Sequence, residues 1–175
     1  MKFAGFKLFH KNQAGYTIVE LLVALAITGF ISLGATVSSI QLISQTSRDT
    51  NYVTASRQAT NAIHWISRDA LMAQAINGYD GFPQTESLSF TWRAWDNTVY
   101  TVSYALENGT LKRTYSDGTD ITTTIISEHI NSGADMTCCS YEDGVLTLTV
   151  TGTTGDGDRM IDVTKTREIT NRTDL

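Results

Sequence analysis

The most constraining feature of this chain is an uncharged run of 27 residues, 21–47, which begins directly after a lone acid, Glu20, and ends at Arg48. As a helix, its most apolar part, residues 21–43, would be about 35 Å long at 1.5 Å per residue, enough to cross a hydrocarbon core of about 30 Å. The 15 residues ahead of Tyr16 contain Lys2, Lys7 and Lys11 and no acid. By the positive-inside rule these lysines stay cytoplasmic and put the C-terminal body outside. A secretory signal places its apolar core before a small-residue cleavage site. Here the order is inverted, with Gly15 first and the apolar run behind it.

Two details exceed what a plain membrane anchor needs. Glu20 stands at the rim of the apolar run, and a charged side chain costs about 2.5–3.5 kcal/mol at mid-membrane and less near the interface. Gly15 is followed by an aromatic residue, Tyr16, four residues ahead of that acid. A basic leader, a glycine, an aromatic, an acid at the fifth place after the glycine and then Leu21-Leu22-Val23-Ala24-Leu25-Ala26-Ile27 together resemble the prepilin family of type IV pilins, type II secretion pseudopilins and competence pseudopilins. Tyr16 stands where the family usually has phenylalanine.

The resemblance implies that a membrane prepilin peptidase cuts between Gly15 and Tyr16 and N-methylates Tyr16, a change that keeps the positive charge. A free α-amino group titrates near 7.7–8.0 and is largely cationic at neutral pH, by about that margin. The implied role of Glu20 is to pair with that ammonium on a neighbouring subunit. A low dielectric strengthens the attraction and penalises a partner left alone, so correct registration is rewarded. Implied partners are other pilin or pseudopilin subunits, the peptidase, the inner-membrane assembly platform and the membrane itself. No cofactor is implied.

Helical character extends past the membrane stretch. Ala55, Ala59, Ile63, Ile66, Ala70 and Ala73 recur at spacings of three and four and trace one face, with Arg57, His64 and Arg68 off it. Asn77-Gly78 reads as the stop, so one helix is expected from Tyr16 to about Ala75. Beyond it, alternation at Leu88, Phe90 and Trp92, at Tyr100, Val102, Tyr104 and Leu106, and at Leu146, Leu148 and Val150 predicts strands, with a last strand from Met160 to Ile169. Glu107-Asn108-Gly109, Asp117-Gly118 and Glu142-Asp143-Gly144 are turn signals. The expected fold is α+β, a long N-terminal helix packed against an antiparallel β head made of one curved sheet. The expected divisions are a leader at 1–15, a transmembrane and assembly half-helix at 16–47, an amphipathic half-helix at 48–76 and the β head at 77–175.

Of the 175 residues, 41% are apolar and 18% charged, which fits a folded domain. Removing the three leader lysines takes the net charge from −5 to −8. So acidic a body repels phosphate, and no nucleic-acid partner is expected. The histidines, His10, His64 and His129, form no zinc pair, and no phosphate loop or nucleophile elbow occurs, so the chain does not read as an enzyme. Gly155-Asp156-Gly157-Asp158, with Asp162 beyond, offers weak calcium ligands, against the plainer reading of a solvated hairpin turn; Met160-Ile161 breaks an EF-hand pattern. The adjacent Cys138 and Cys139 leave reduced thiols, cross-links to other molecules and a vicinal disulfide all open, since neighbours meet disulfide geometry only with a distorted peptide. Tyr79, Phe82, Trp92 and Trp95 read as core aromatics or, less simply, as a partner surface. Asn108-Gly109-Thr110 and Asn171-Arg172-Thr173 match the glycosylation pattern, one frequent by chance.

Within the prepilin-like family the middle of the chain is most similar to J-type minor pseudopilins. The residues that carry this are Arg68-Asp69 late in the helix, Val102 to Tyr104, and the Asn108 to Arg113 hairpin. The resulting expectation is a minor subunit at the tip or initiation complex of a type II secretion pseudopilus, held first in the cytoplasmic membrane and then in an extracytoplasmic filament. A pilus subunit for adhesion, motility or DNA uptake and a membrane-tethered binding module stand as alternatives.

Overall fold

The computed structural model describes residues 15–170, the side chain of Asp158 excepted; the leader residues 1–14 and the triplet at 171–173 lie outside the described residues. One helix, α1 (Ile18–Met72), is followed by eight strands. The chain forms two compact units, residues 1–45 and 46–175.

In the first unit every described residue is exposed. Leu21, Leu22, Leu25, Phe30 and Ile31 all present more than half of their surface. Thr28, Thr36 and Ser39 return their hydroxyls to the carbonyls of Ala24, Ser32 and Ala35, at 2.7, 2.8 and 2.9 Å. Polar side chains satisfied inside the helix make such a surface compatible with lipid.

In the second unit the small-residue stripe is buried as its spacing requires, from Ala55 through Ala73. Arg57, His64 and Arg68 are exposed. The helix ends earlier than Asn77-Gly78. Gln74 donates its N–H to the Thr91 carbonyl at 2.9 Å, and residues 75–77 become β1 (Ala75–Asn77), paired with β2 (Leu88–Arg93). Strand pairing wins here because it buries Ile76 opposite Phe90 while satisfying the same backbone groups. Gly78 then turns at φ +75, where a Cβ would stand 2.2 Å from the Ser87 carbonyl oxygen, so only glycine fits.

The five-stranded antiparallel sheet has the order β1-β2-β3-β4-β5, with β3 (Val99–Glu107), β4 (Thr110–Ser116) and β5 (Ile121–Ser127). A second, three-stranded sheet comprises β6 (Cys138–Glu142), β7 (Val145–Thr154) and β8 (Ile161–Thr170), the last within one residue of its expected span. The single curved sheet expected from sequence is thus two. Leu88, Phe90, Val102 and Tyr104 of the first and Leu146, Leu148 and Val150 of the second meet in one core with the helix stripe. Two sheets enclose more of that stripe than one could. Their approach is close: a Cβ on Gly152 of β7 would lie 2.3 Å from the Ala55 carbonyl oxygen.

Asn108 and Gly109, and Asp143 and Gly144, all have positive φ, so both two-residue hairpins have both central residues left-handed, as their sequences demand. The second half of α1 and the residues just after it cross the first sheet strand by strand. Asn61 donates to the Ile126 carbonyl on β5, Trp65 lies beside Arg113 on β4, Asp69 reaches Tyr104 on β3, and Gln74 accepts from the Arg93 N–H on β2.

Candidate functional site

Two regions gather the residues singled out by sequence. At the start of α1, Gly15 is open on all sides and Tyr16 is 89% exposed. Thr17 caps the helix. Its Oγ1 accepts the Glu20 N–H at 3.3 Å, while the Thr17 N–H and hydroxyl donate to Glu20 Oε2 at 2.9 and 3.1 Å. This is a reciprocal capping box, which satisfies two backbone donors that a helix start otherwise leaves bare. It also holds the carboxylate against the backbone N–H of Thr17, the residue after Tyr16. Sequence reading found Glu20 but not the role of Thr17; the Thr-x-x-Glu spacing was the signal that would have found it.

The second region is in the head. Asp69, 1% exposed, accepts from the Tyr104 hydroxyl and, in a two-pronged ion pair, from Arg113 Nε at 2.7 Å and Nη2 at 3.1 Å. The Arg113 guanidinium also stacks against Trp65 and Tyr115, at 5.5 and 5.6 Å from the ring centroids. Burial, then the hydrogen bond to Asp69, pushes the Tyr104 hydroxyl well above the ordinary phenol range. The hydrogen bond to Asp69 also raises Arg113. The three short motifs in the middle of the sequence, around Asp69, Tyr104 and Arg113, are therefore one buried network spanning α1, β3 and β4. Its bonds tie α1 to β3 and β4, as a structural clamp does.

The remaining candidates separate. Cys138 and Cys139 are free thiols. The vicinal disulfide left open by the sequence is not formed, because successive strand residues point to opposite faces. Cys139 donates to the Tyr79 carbonyl at 3.2 Å, and burial pushes its thiol up to about 12. Asp156 lines a small polar cleft with Ser47, Asn51, Gly155 and Arg159, whose guanidinium charge opposes a cation. Asp162 instead accepts from the Thr153 hydroxyl, and Asp158 lies outside the described side chains. Among the described residues no three His, Cys, Asp or Glu groups cluster as a metal site would need. Of the four aromatics, Phe82 is buried and Tyr79 and Trp92 pack against the core, but Trp95 is wholly exposed. Trp95 is the exception to the core reading because it sits in the turn between β2 and β3, where Asn97 donates its N–H to the Ala94 carbonyl.

Residues 10–36 match the family model described as the prokaryotic N-terminal methylation motif. That motif marks a type IV prepilin-like signal, and its family is one of structural subunits that are processed by prepilin peptidase and assemble with one another. α1 is the one helix among the described residues that is long and apolar enough to cross a membrane. With the motif it fits a membrane-anchored, single-pass protein. No curated protein and no solved structure matches the chain.

Proposed function

We propose that this chain is a minor pseudopilin, a subunit that helps start or cap a type II secretion pseudopilus. In this reading residues 1–15 are removed after Gly15, Tyr16 is N-methylated, and Glu20 guides docking in the membrane. Residues 16–47 then anchor and assemble, residues 48–76 carry the head, and residues 77–175 form the β head outside the cytoplasm. The observation that carries the reading is the methylation motif lying over a helix start in which Glu20 is held at the rim of an apolar stretch whose described residues, 15–45, are all exposed. Before docking, the carboxylate is satisfied by Thr17. Docking exchanges that cap, in which only the acceptor is charged, for a neighbour's ammonium, so that both partners carry charge and a low dielectric strengthens their attraction. A misplaced subunit leaves the acid facing lipid without its cation, which penalises wrong registers. The minor role is supported by the convergence of Asp69, Tyr104 and Arg113, the residues on which the J-type likeness rests.

Intact-mass and N-terminal peptide spectrometry on chain purified from cells with active prepilin peptidase tests the first step. The expected mature chain begins at Tyr16 with one added methyl group; a chain that still carries its leader would falsify the reading. Glu20→Gln separates charge from capping, because glutamine still serves in a capping box. It is expected to insert normally and fail to assemble, whereas a simple membrane-tethered module would tolerate it. Abundance in purified filaments then discriminates a scarce minor subunit from the major subunit of a pilus.

A further inference from the structure

Asparagine is a thermolabile side chain, most of all before glycine, whose missing Cβ leaves the next backbone nitrogen open to the carboxamide. Asn77 and Asn108 are the asparagines that glycine follows. The fold ties the others it describes. Asn51 and Asn61 donate to the Arg159 and Ile126 carbonyls, Asn97 accepts from Arg93 Nη1, and Asn131 bonds Thr153 and the Gly133 N–H. Among the described residues, the carboxamides of Asn77 and Asn108 bond nothing. Asn77 lies in β1, paired with Ser89, and Gly78 behind it is wedged against the Ser87 carbonyl. A swing of the backbone there would break both the pairing and the packing. Asn108 instead stands exposed at the apex of the β3–β4 hairpin, at φ +49, with Gly109 at φ +76. A Cβ on Gly109 would meet nothing nearer than the Ile130 carbonyl oxygen at 3.4 Å. Among the described residues the Gly109 N–H donates to no backbone carbonyl. An amide nitrogen and a carboxamide carbon thus stand adjacent, unbonded and open to water.

We propose that Asn108 is a site of self-modification, at which the head loses ammonia and gains an acid as the chain ages. The Gly109 nitrogen attacks Cγ of Asn108. A bond forms between them, the Cγ–Nδ2 bond breaks, and Nδ2 leaves as ammonia with the proton that Gly109 gave up. One water then opens the resulting ring. Addition at Cγ gives aspartate; addition at the main-chain carbonyl gives an isoaspartyl link, in which the backbone runs through the side chain. Water enters, ammonia leaves, and nothing is oxidised or reduced. The isoaspartyl form has the larger consequence. It adds a backbone atom to a two-residue turn whose left-handed pair sets the β3–β4 register. That register places Tyr104 opposite Arg113, the two groups that hold Asp69. Either product also puts a new carboxylate next to Glu107, the partner of Lys112. Asn108 therefore links the age of the chain to the strength of its clamp. This inference stands on the head alone and does not depend on the filament-subunit reading.

The test incubates the full, detergent-solubilised chain in mildly alkaline buffer made with heavy-oxygen water. Peptide mass spectrometry then follows Asn77, Asn108 and Asn131, with a synthetic peptide of residues 104–113 as the unfolded reference. Residue 108 should convert to aspartate and isoaspartate carrying heavy oxygen, several-fold faster than Asn77, while Asn131 keeps its amide. An Asn108 that stays intact after the reference peptide has converted overturns the inference, since the fold would then protect it. Conversion of Asn77 at the same rate overturns the choice of site. Thermal melting supplies a second readout. The parent should melt lower as conversion proceeds. Asn108→Gly keeps a turn of the same type and has no carboxamide, so it should hold its starting value. A parent that converts without drift, or a glycine variant that drifts equally, overturns the link to the clamp.

Discussion

Residues 15–45 and the head show opposite relations between burial and meaning. In the first stretch nothing is buried, and its residues make sense only against lipid, a peptidase or another copy. In the head, Tyr104, Phe90, Ile66 and Leu148 are fully enclosed, and the buried acid Asp69 has its cation in the same chain. Glu20 and Asp69 state the contrast most sharply. Both are carboxylates on α1; one is held by a local cap three residues away, the other by residues 35 and 44 positions distant in sequence. An acid that answers to its neighbours along the chain remains free to exchange partners, whereas an acid locked by tertiary contacts is committed to the fold.

The comparison can be broken by substitution, beginning where the effect is largest. Asp69→Ala strands the Arg113 charge in the head and should cost about 3–5 kcal/mol. Thermal melting of the detergent-solubilised chain reads this loss, and membrane insertion should not change. A melt within error of the parent would mean that the network is ornamental. Gly152→Ala drives a methyl group into the Ala55 carbonyl and should cost about 1–3 kcal/mol through forced separation of β7 from α1.

A smaller effect is expected from alkali. The folded Cys139 thiol is raised to about 12 by burial, and an unfolded thiol titrates near about 8.5. A raised value means that the folded state holds its proton longer, so the contribution is complete below about 8.5 and is lost as pH rises towards that folded value. Tyr104, raised in the same direction, adds to the loss above about pH 10. Melting temperature should therefore fall across that window, and Cys139→Ala with Tyr104→Phe should flatten the slope. Iodoacetamide followed by peptide mass spectrometry should also find Cys139 unmodified at neutral pH until the head unfolds. The smallest effect belongs to the first region. Phe30→Ala removes a side chain that is 77% exposed and should leave the head within about 0.5 kcal/mol of the parent. A large shift there would show that the two regions are coupled in stability.

Legibility follows the same division. The helix stripe, the three hairpin turns and the strands around Phe90, Val102 and Leu148 were readable because spacing and left-handed turn residues are local properties. The helix stop was misread because Asn77-Gly78 is a turn signal that serves β1 as well as it would serve a helix end. The two-sheet arrangement had no local signature, and neither did the exposure of Trp95, which depends on where the β2–β3 turn projects. Arg68-Asp69, Val102-Tyr104 and Asn108–Arg113 were each visible as short motifs, but nothing in their spacing said that Asp69, Tyr104 and Arg113 share one hydrogen-bonded centre.

What the amino-acid order determined alone is the long apolar stretch, the acid at its rim and the glycine–aromatic pair ahead of it, because hydropathy and spacing are properties of contiguous residues. What only the tertiary structure decided is which groups of the head become partners. Those outcomes depend on chain segments far apart in sequence competing for the same buried space and the same backbone hydrogen bonds, a competition settled by packing.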